Sequence, residues 1–341
     1  MQFSFYLPCY WPDTSIHYKV MYDEMLVQAA RAEELDYAML GIPEHHFINY
    51  LTHPSPLLTA VKLTSVTKRM PFITSVLVLP FLDMRRLAGE IAQADCLTDG
   101  RIQLGVGRGA FRYEFDRFNV PVEESRAMFD DGLALLKKLM TETEVSWDSD
   151  YYKFDALTIT PRPVQQPHPP IWMAAVTPVA IYHSVLNGYD IMTTPLREPF
   201  EKVVAQAEAF HRGVAEVGEA ASGRMLSMLK MLYVAKDDAD RREKIELAHA
   251  NHQRFVNVYD TPGEVINGAI TPITPIETNE PLEDVGKVLI IGTASECIDR
   301  LGPYAELGIH DMMLNMSFGA AHDDVLGAME RFATDVRPHF T

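Results

Sequence analysis

Short, almost continuously apolar runs alternate along the chain with longer stretches whose apolar residues recur every three or four positions. The short runs predict strands over Phe3–Leu7, Ala38–Ile42, Ile73–Leu79, Ile102–Val106, Ile171–Ala175, Asp190–Thr194, Leu226–Ala235 and Asp311–Met316. Runs without polar alternation suit the strands of a parallel sheet covered by helices. Between them, residues 16–35 place Val20, Met21, Met25, Leu26, Ala29 and Ala30 on one helical face. Residues 54–67, 85–97, 123–140, 178–187, 200–217 and 237–255 read alike, and 295–307 and 322–336 flank the last strand. Eight strand-then-helix units predict an α/β chain folded as a (β/α)8 TIM barrel, one domain over residues 1–341. A doubly wound sheet is the rival that periodicity separates poorly from it.

Two stretches interrupt the rhythm. Residues 141–170, after the fourth helix, predict a hairpin and a proline-rich crossing. Residues 257–287, between the seventh and eighth strands, carry Pro262, Pro272, Pro275 and Pro281 and one lysine, Lys287. A connection of about 30 residues inside a compact domain is uncommon and often functional, so a closing segment over the site is expected there.

Charge and cysteine usage narrow the function classes. Thirty Lys and Arg against 47 Asp and Glu give a net charge of −17, a field that repels nucleic-acid phosphates. Three scattered cysteines, Cys9, Cys96 and Cys297, make neither a disulfide framework nor a Cys-rich zinc site. The opening MQFSFYLPCYW lacks the cationic start of a signal peptide, and the apolar stretch 71–82 is too short to span a membrane. A cytoplasmic protein with no nucleic-acid or membrane partner is expected.

In such a barrel the chemistry belongs just past the strand ends. Pro43-Glu44-His45-His46-Phe47 follows the second strand, Gly107-Arg108-Gly109-Ala110-Phe111-Arg112 the fourth, and Val176-Thr177-Pro178 the fifth. Histidine is the natural proton carrier near neutral pH, so His45 and His46 are the candidate catalytic groups. Adjacent residues on extended backbone point apart, unlike helical zinc ligands at i and i+4, and no metal is expected. Gly105-Val106-Gly107-Arg108-Gly109-Ala110 matches a dinucleotide fingerprint. Its continuation FRYEFDRFNVP does not open an amphipathic helix, and no acidic strand end stands at the usual distance. The glycines instead let backbone approach a ligand while Arg108 presents a charge. Thr177-Pro178 fits an N-cap and first turn, a place that favours anions, although capping alone also explains the pair. With Arg126 these groups are able to enclose one phosphate. Tyr10, Trp11, Glu44 and Phe111 are the candidate substrate-pocket wall. No G-x-S-x-G elbow or Walker loop suggests covalent or phosphoryl-transfer chemistry.

At these positions the chain resembles bacterial luciferase and the luciferase-like flavin monooxygenases. The resemblance runs in order through GIPEHHF (41–47), TSVLVLP (74–80), EIAQADCLTDGRIQLGVGRG (90–109) and FNVPVEESRAMF (118–129). SDYYKFDALTITPRPVQQPHPPIWMAA (149–175) and IGTASECIDRL (291–301) continue it. It implies an FMN-binding barrel, usually a homodimer, fed with reduced FMN by a separate NAD(P)H-dependent flavin reductase. It implies reaction with O2 through a flavin 4a-peroxide that oxygenates a small organic substrate. By motif position, Arg108 and Arg126 would hold the FMN phosphate, with Gly107, Gly109 and the backbone of Ala175, Val176 and Thr177 beside the cofactor. His45 and His46 would face flavin and substrate, and Ser75-Val76 falls where the family often has a non-proline cis peptide. Luciferase's light-emitting subunit has a reactive cysteine where this chain has Gly107, and Glu-Ser where it has Val176-Thr177, which counts against light emission. A deazaflavin-dependent oxidoreductase and a non-catalytic flavin-binding protein are the alternatives on the same barrel, and the arginine-bearing loop favours FMN over a deazaflavin.

Overall fold

The computed structural model describes residues 1–196, 198–259, 264–271, 285 and 288–340. Its centre is a closed ring of parallel strands: β1 (Gln2–Tyr6), β2 (Leu40–Ile42), β3 (Phe72–Thr74) continued by β4 (Leu77–Val78), β5 (Ile102–Gly107), β8 (Ile171–Ala174), β9 (Asp190–Thr193), β10 (Leu226–Val234) and β14 (Asp311–Asn315). Pairing of β10 with β9 on one side and β14 on the other, and of β14 with β1, closes the barrel. All eight expected strands are therefore present, and closure excludes the doubly wound sheet.

Helices cover the ring: α1 (Tyr18–Glu34), α2 (Pro56–Leu63), α3 (Met84–Leu97), α4 (Arg112–Phe118), α5 (Ser125–Thr141), α6 (Pro178–Leu186), α7 (Phe200–Val217), α8 (Asp238–Tyr259), α9 (Ala294–Glu306) and α10 (His322–Arg331). Their starts are written locally. Ser55 caps α2 and Thr177 caps α6, each followed by proline in the first turn, and Thr293 with Glu296 forms a reciprocal capping box on α9. Met84, Leu87, Ala88 and Ile91 bury one face of α3, and Phe129, Leu133, Leu136 and Met140 one face of α5.

Three features depart from the pattern. The segment after β5, expected not to open a helix, forms α4. The helix buries Tyr113, Glu114 and Phe115 and stops at Asn119, whose φ of 55° is left-handed. A tertiary pocket for those three residues outweighs a weak helical period. Second, β10 outruns the barrel, and Leu232–Val234 pair with an additional parallel strand, β13 (Ile290–Gly292). Third, the described part of 257–287 includes a small hairpin, β11 (Val265–Ile266) and β12 (Ala269–Ile270). The Ile270 N–H donates to Asn49 Oδ1 at 2.9 Å, which ties that hairpin to the loop after β2. The closing segment expected over 257–287 otherwise lies outside the described residues.

Residues 141–170 form the expected hairpin, β6 (Val145–Asp148) against β7 (Lys153–Leu157), and then cross back to β8. Asp95, fully buried at the end of α3, accepts the Gln165 backbone N–H at 2.9 Å and the Gln165 side-chain amide at 2.7 Å, which fixes the crossing. No described helix is long and apolar enough to cross a membrane.

Candidate active site

The strand ends open into a cavity of about 1990 Å³, lined by the segments that follow β2, β3, β5, β8 and β9 and by one face of α8. Its walls include Glu44, His45, Ser75, Val76, Gly107, Arg108, Gly109, Phe111, Arg126, Ala175, Val176 and Thr177. These residues, scattered over 134 positions in sequence (44 to 177), are brought together at one mouth. His46, Tyr10 and Trp11 are not among the lining residues. Trp11 turns away to donate its indole N–H to Ile16 O at 2.7 Å, and Tyr10 is buried edge-on to Tyr50. Tyr10 therefore supports the wall from behind through Tyr50, and Trp11 packs outside it against Tyr18.

Gly107 and Gly109 stand where the backbone passes a neighbouring loop. A Cβ on Gly107 would lie 2.6 Å from Val76 Cγ2, and one on Gly109 would lie 2.8 Å from Val78 Cγ1. Gly109 also has φ +91°, a conformation costly to any residue with a side chain. The Ser75-Val76 peptide bond is cis, at the position that the resemblance implies. Two guanidinium groups and a helix start also line the cavity, together with the carboxylates of Asp116, Glu123 and Asp130. Arg108 is exposed on the wall, Arg126 pairs with Asp130 at 2.9 Å, and the first turn of α6 begins at the Thr177 cap. Arg126 and Asp130 are both more than half exposed, so this ion pair is weak and readily exchanged. Gln206, fully buried on α7, donates one amide to Val176 O at 2.8 Å and Thr194 O at 3.1 Å, holding the loops after β8 and β9 in register.

The two histidines have different environments. His45 sits on the cavity wall with its ring stacked on Phe111, centroids 4.1 Å apart. Its Nδ1 lies 3.1 and 3.2 Å from the two carboxylate oxygens of Glu114, a residue only 1% exposed. Glu114 Oε1 also accepts the His46 backbone N–H at 2.6 Å. An acceptor-only carboxylate requires the proton on Nδ1, which leaves His45 Nε2 as an acceptor with no partner among the described residues. His46 instead places Nε2 2.9 Å from Glu44 Oε1 and lies edge-on to Phe118. The second oxygen of Glu44 accepts the Val78 N–H at 3.1 Å. Burial pushes the Glu44 carboxyl above its ordinary range, against the opposing pull of His46 and Val78. The two carboxylates draw the rings apart: one imidazole reaches the cavity and its neighbour braces the wall.

Sequence reasoning missed Glu114. Its signal was faint, an acidic residue among aromatic ones in 111–118, where burial demands a partner. Farther along, His53 is fully buried with Nε2 2.9 Å from Leu7 O, and burial lowers its pKa to about 4, so it is a neutral core histidine. One group of three potential metal ligands exists among the described residues, Asp240, Glu243 and Asp324. The Lys244 ammonium sits within 3.1 Å of all three and already places a cation among them.

Residues 1–311 match the family model of the luciferase-like monooxygenases. The chain belongs to that family. Among relatives, the oxygenase component of the flavin-dependent trigonelline monooxygenase of Acinetobacter baylyi is 28% identical over 95% of this chain and 91% of its own. The alkanal monooxygenase alpha chain of Photorhabdus luminescens is 23% identical over 99% and 96%. The solved monooxygenase RslO1 of Streptomyces bottropensis superposes with a TM-score of 0.84 at 23% identity, covering both chains completely. The oxygenating constituent of 3,6-diketocamphane monooxygenase from Pseudomonas putida, solved with FMN, gives 0.78 at 14% identity over 100% and 99%. An F420-dependent secondary alcohol dehydrogenase gives 0.74 at 16% identity, again over 100% and 99%. At these identities the structural likeness establishes the luciferase-like barrel and nothing finer.

Proposed function

We propose that this luciferase-like monooxygenase is the oxygenase of a two-component system. It takes reduced FMN from a separate NAD(P)H-dependent flavin reductase and uses O2 to oxygenate a small organic substrate. The observation that carries the reading is that Arg108, Arg126 and the first turn of α6 line one cavity. Two guanidinium groups and a helix N-terminus suit a terminal phosphate monoester, and suit a carrier of that group better than a deazaflavin. The name of the trigonelline relative, an oxygenase component, supports a partner reductase, and the camphane neighbour solved with FMN supports the cofactor.

In this reading Arg108 and Arg126 hold the phosphate, Arg126 exchanging Asp130 for it. Ser75, Val76, Gly107, Gly109, Ala175 and Val176 form the walls beside the flavin, and the missing side chains at 107 and 109 make room for Val76 and Val78 in that wall. Bound reduced FMN supplies the electrons that activate O2. The chain's own part is threefold. His45 Nε2 holds or accepts the proton of the reacting groups, Glu114 fixes the imidazole tautomer, and Phe111 fixes the ring plane. The aromatic side of the cavity excludes water, which limits loss of oxygen equivalents as hydrogen peroxide. Homodimerisation in the cytoplasm belongs to the same proposal and is checked by the mass of the native particle.

The test is oxygen consumption with a generic flavin reductase, NADH and FMN, alongside equilibrium binding of FMN, riboflavin and a deazaflavin. FMN-dependent oxygen uptake with substrate-dependent product supports the proposal. Tight deazaflavin binding without FMN binding replaces it with hydride transfer, and FMN binding with no product from any substrate replaces it with flavin storage.

A further inference from the structure

Another part of the cavity lining is aromatic. Tyr50, from the loop after β2, Phe111, from the loop after β5, and Phe255 and Tyr259, from the last two turns of α8, put four aromatic rings on the wall, next to His45. Phe255 and Tyr259 lie four residues apart, so one helix face presents both, stacked 4.7 Å apart at 29°. Phe111 meets Phe255 edge-on at 5.6 Å and Tyr259 at 6.1 Å, and Tyr50 lies 6.2 Å from both Phe111 and Phe255. Every separation falls in the range where ring pairs attract, and His45 continues the series by stacking on Phe111.

We propose that this ring box is the substrate subsite and that it selects a flat aromatic ring over a saturated ring or an alkyl chain. The inference rests on the oxygenase reading for its placement next to His45. Its physical basis is independent of that reading. Tyr50 and Phe111 are buried to within a few per cent, while Phe255 and Tyr259 keep partial exposure toward the cavity. Rings braced by one another offer fixed flat faces and edges. They lack the adaptable packing of leucine and methionine that accommodates a flexible chain. The four rings come from three segments far apart in sequence, and those segments are held together. Asn49 in the β2 loop accepts the hairpin N–H of Ile270, and the Asn257 side-chain amide on α8 donates to Thr271 O at 2.7 Å, so the hairpin bridges the β2 loop and α8 beside the box.

The experiment measures binding of matched probes, benzaldehyde and cyclohexanecarbaldehyde with octanal as the open chain, by equilibrium dialysis of the full chain. Oxidised FMN is kept saturating so that no turnover intervenes. Benzaldehyde should bind about 2- to 13-fold more tightly than cyclohexanecarbaldehyde for each ring contact it makes. Phe255→Leu and Tyr259→Leu, which keep apolar bulk and remove a ring, should each bring the ratio toward unity while FMN affinity stays the same. Equal or tighter binding of the saturated probes overturns the proposal, as does a ratio untouched by both variants. Displacement of FMN by benzaldehyde also overturns it, since the box would then belong to the flavin. Ring selectivity that persists in a chain unable to bind FMN upholds this inference and defeats the oxygenase reading. FMN binding and product formation without ring selectivity defeat this inference and leave the oxygenase reading standing.

Discussion

Replacing Glu114 by glutamine changes the proton inventory of the site while preserving its shape. In the native chain one carboxylate accepts two N–H groups, from His46 backbone at 2.6 Å and from His45 Nδ1 at 3.1 and 3.2 Å. A glutamine in the same place has one acceptor and one donor end. If its carbonyl keeps the shorter bond to His46 and its amide, in the place of Oε2 3.2 Å from His45 Nδ1, donates to that nitrogen, Nδ1 becomes the acceptor. The proton then moves to Nε2, the nitrogen that faces the cavity, and His45 no longer accepts a proton from a reacting group. Wrong-tautomer histidine should cost about 10²- to 10⁴-fold in product formation, the usual worth of a general acid–base group. Fold stability should change little, because both contacts survive with their directions altered.

Glu114→Ala separates stability from chemistry. It leaves two donors without an acceptor in a nearly dry place, at about 1–3 kcal/mol each. A loss of roughly 2–6 kcal/mol in urea unfolding should accompany the loss of product. The assay couples NADH, a flavin reductase and FMN to the oxygenase, and quantifies product by mass spectrometry and hydrogen peroxide by a peroxidase dye. Glu114→Gln should consume oxygen at close to the native rate and release it as hydrogen peroxide. Native coupling in Glu114→Gln would refute the tautomer argument and return Glu114 to a purely packing role.

Arg126→Ala should weaken FMN binding by about 10- to 150-fold, one charge-assisted hydrogen bond, and leave riboflavin binding almost unchanged. Equal losses for the two flavins, measured by fluorescence titration, would remove Arg126 from the phosphate. His45→Ala should bind FMN and leak hydrogen peroxide, whereas His46→Ala should lower the unfolding midpoint by leaving the buried Glu44 with one partner fewer. The opposite pattern would exchange their roles. At the other end of the barrel, burial pushes the Asp311 carboxyl up to about 6 despite hydrogen bonds from Ser4 and Ser227. A folded value above the unfolded one gives stability that is complete in acid and lost as pH rises through about 6, about 3 kcal/mol for a two-unit shift. Urea unfolding of the native chain relative to Asp311→Asn should therefore show the native chain losing ground between pH 4 and pH 8, and a constant difference would contradict the assignment.

The barrel was legible because parallel strands buried on both sides must be apolar almost throughout, and runs such as Phe3–Leu7 and Ile102–Val106 have few other uses. Helix starts were legible where a cap and a proline coincide, as at Thr177-Pro178. Residues 112–118 were misread because their helix is held by where Tyr113, Glu114 and Phe115 are buried, a tertiary fact with no period of its own. β13 was missed for a similar reason, since three residues carry too little pattern to announce a partner 58 positions away in β10 (Leu232 to Ile290). Of the site, the glycine-arginine loop and the histidine pair could be read from position after a strand. Which histidine faces the cavity could not, because the choice is made by two carboxylates 70 residues apart (Glu44 and Glu114), each holding one of them.

The division of the cavity has a consequence for how substrate choice can change in this fold. The groups proposed to hold the cofactor phosphate come from the segments after β5 and β8 and the start of α5, whereas the ring box draws on the β2 loop and the end of α8. Only the segment 107–111 serves both, with Gly107, Arg108 and Gly109 on one side and Phe111 on the other. Substitutions at Phe255 or Tyr259 are therefore free to alter what is oxidised without touching the groups proposed to hold the cofactor. A change at Gly109 has no such freedom. A side chain there meets Val78 at 2.8 Å and Phe115 at 3.0 Å, in a backbone conformation that disfavours it. Phe115 is one residue from Glu114, so the strain would pass directly to the carboxylate that orients His45. That coupling ties the loop proposed to hold the cofactor to the histidine proposed to handle the proton, and the α8 face lies outside it.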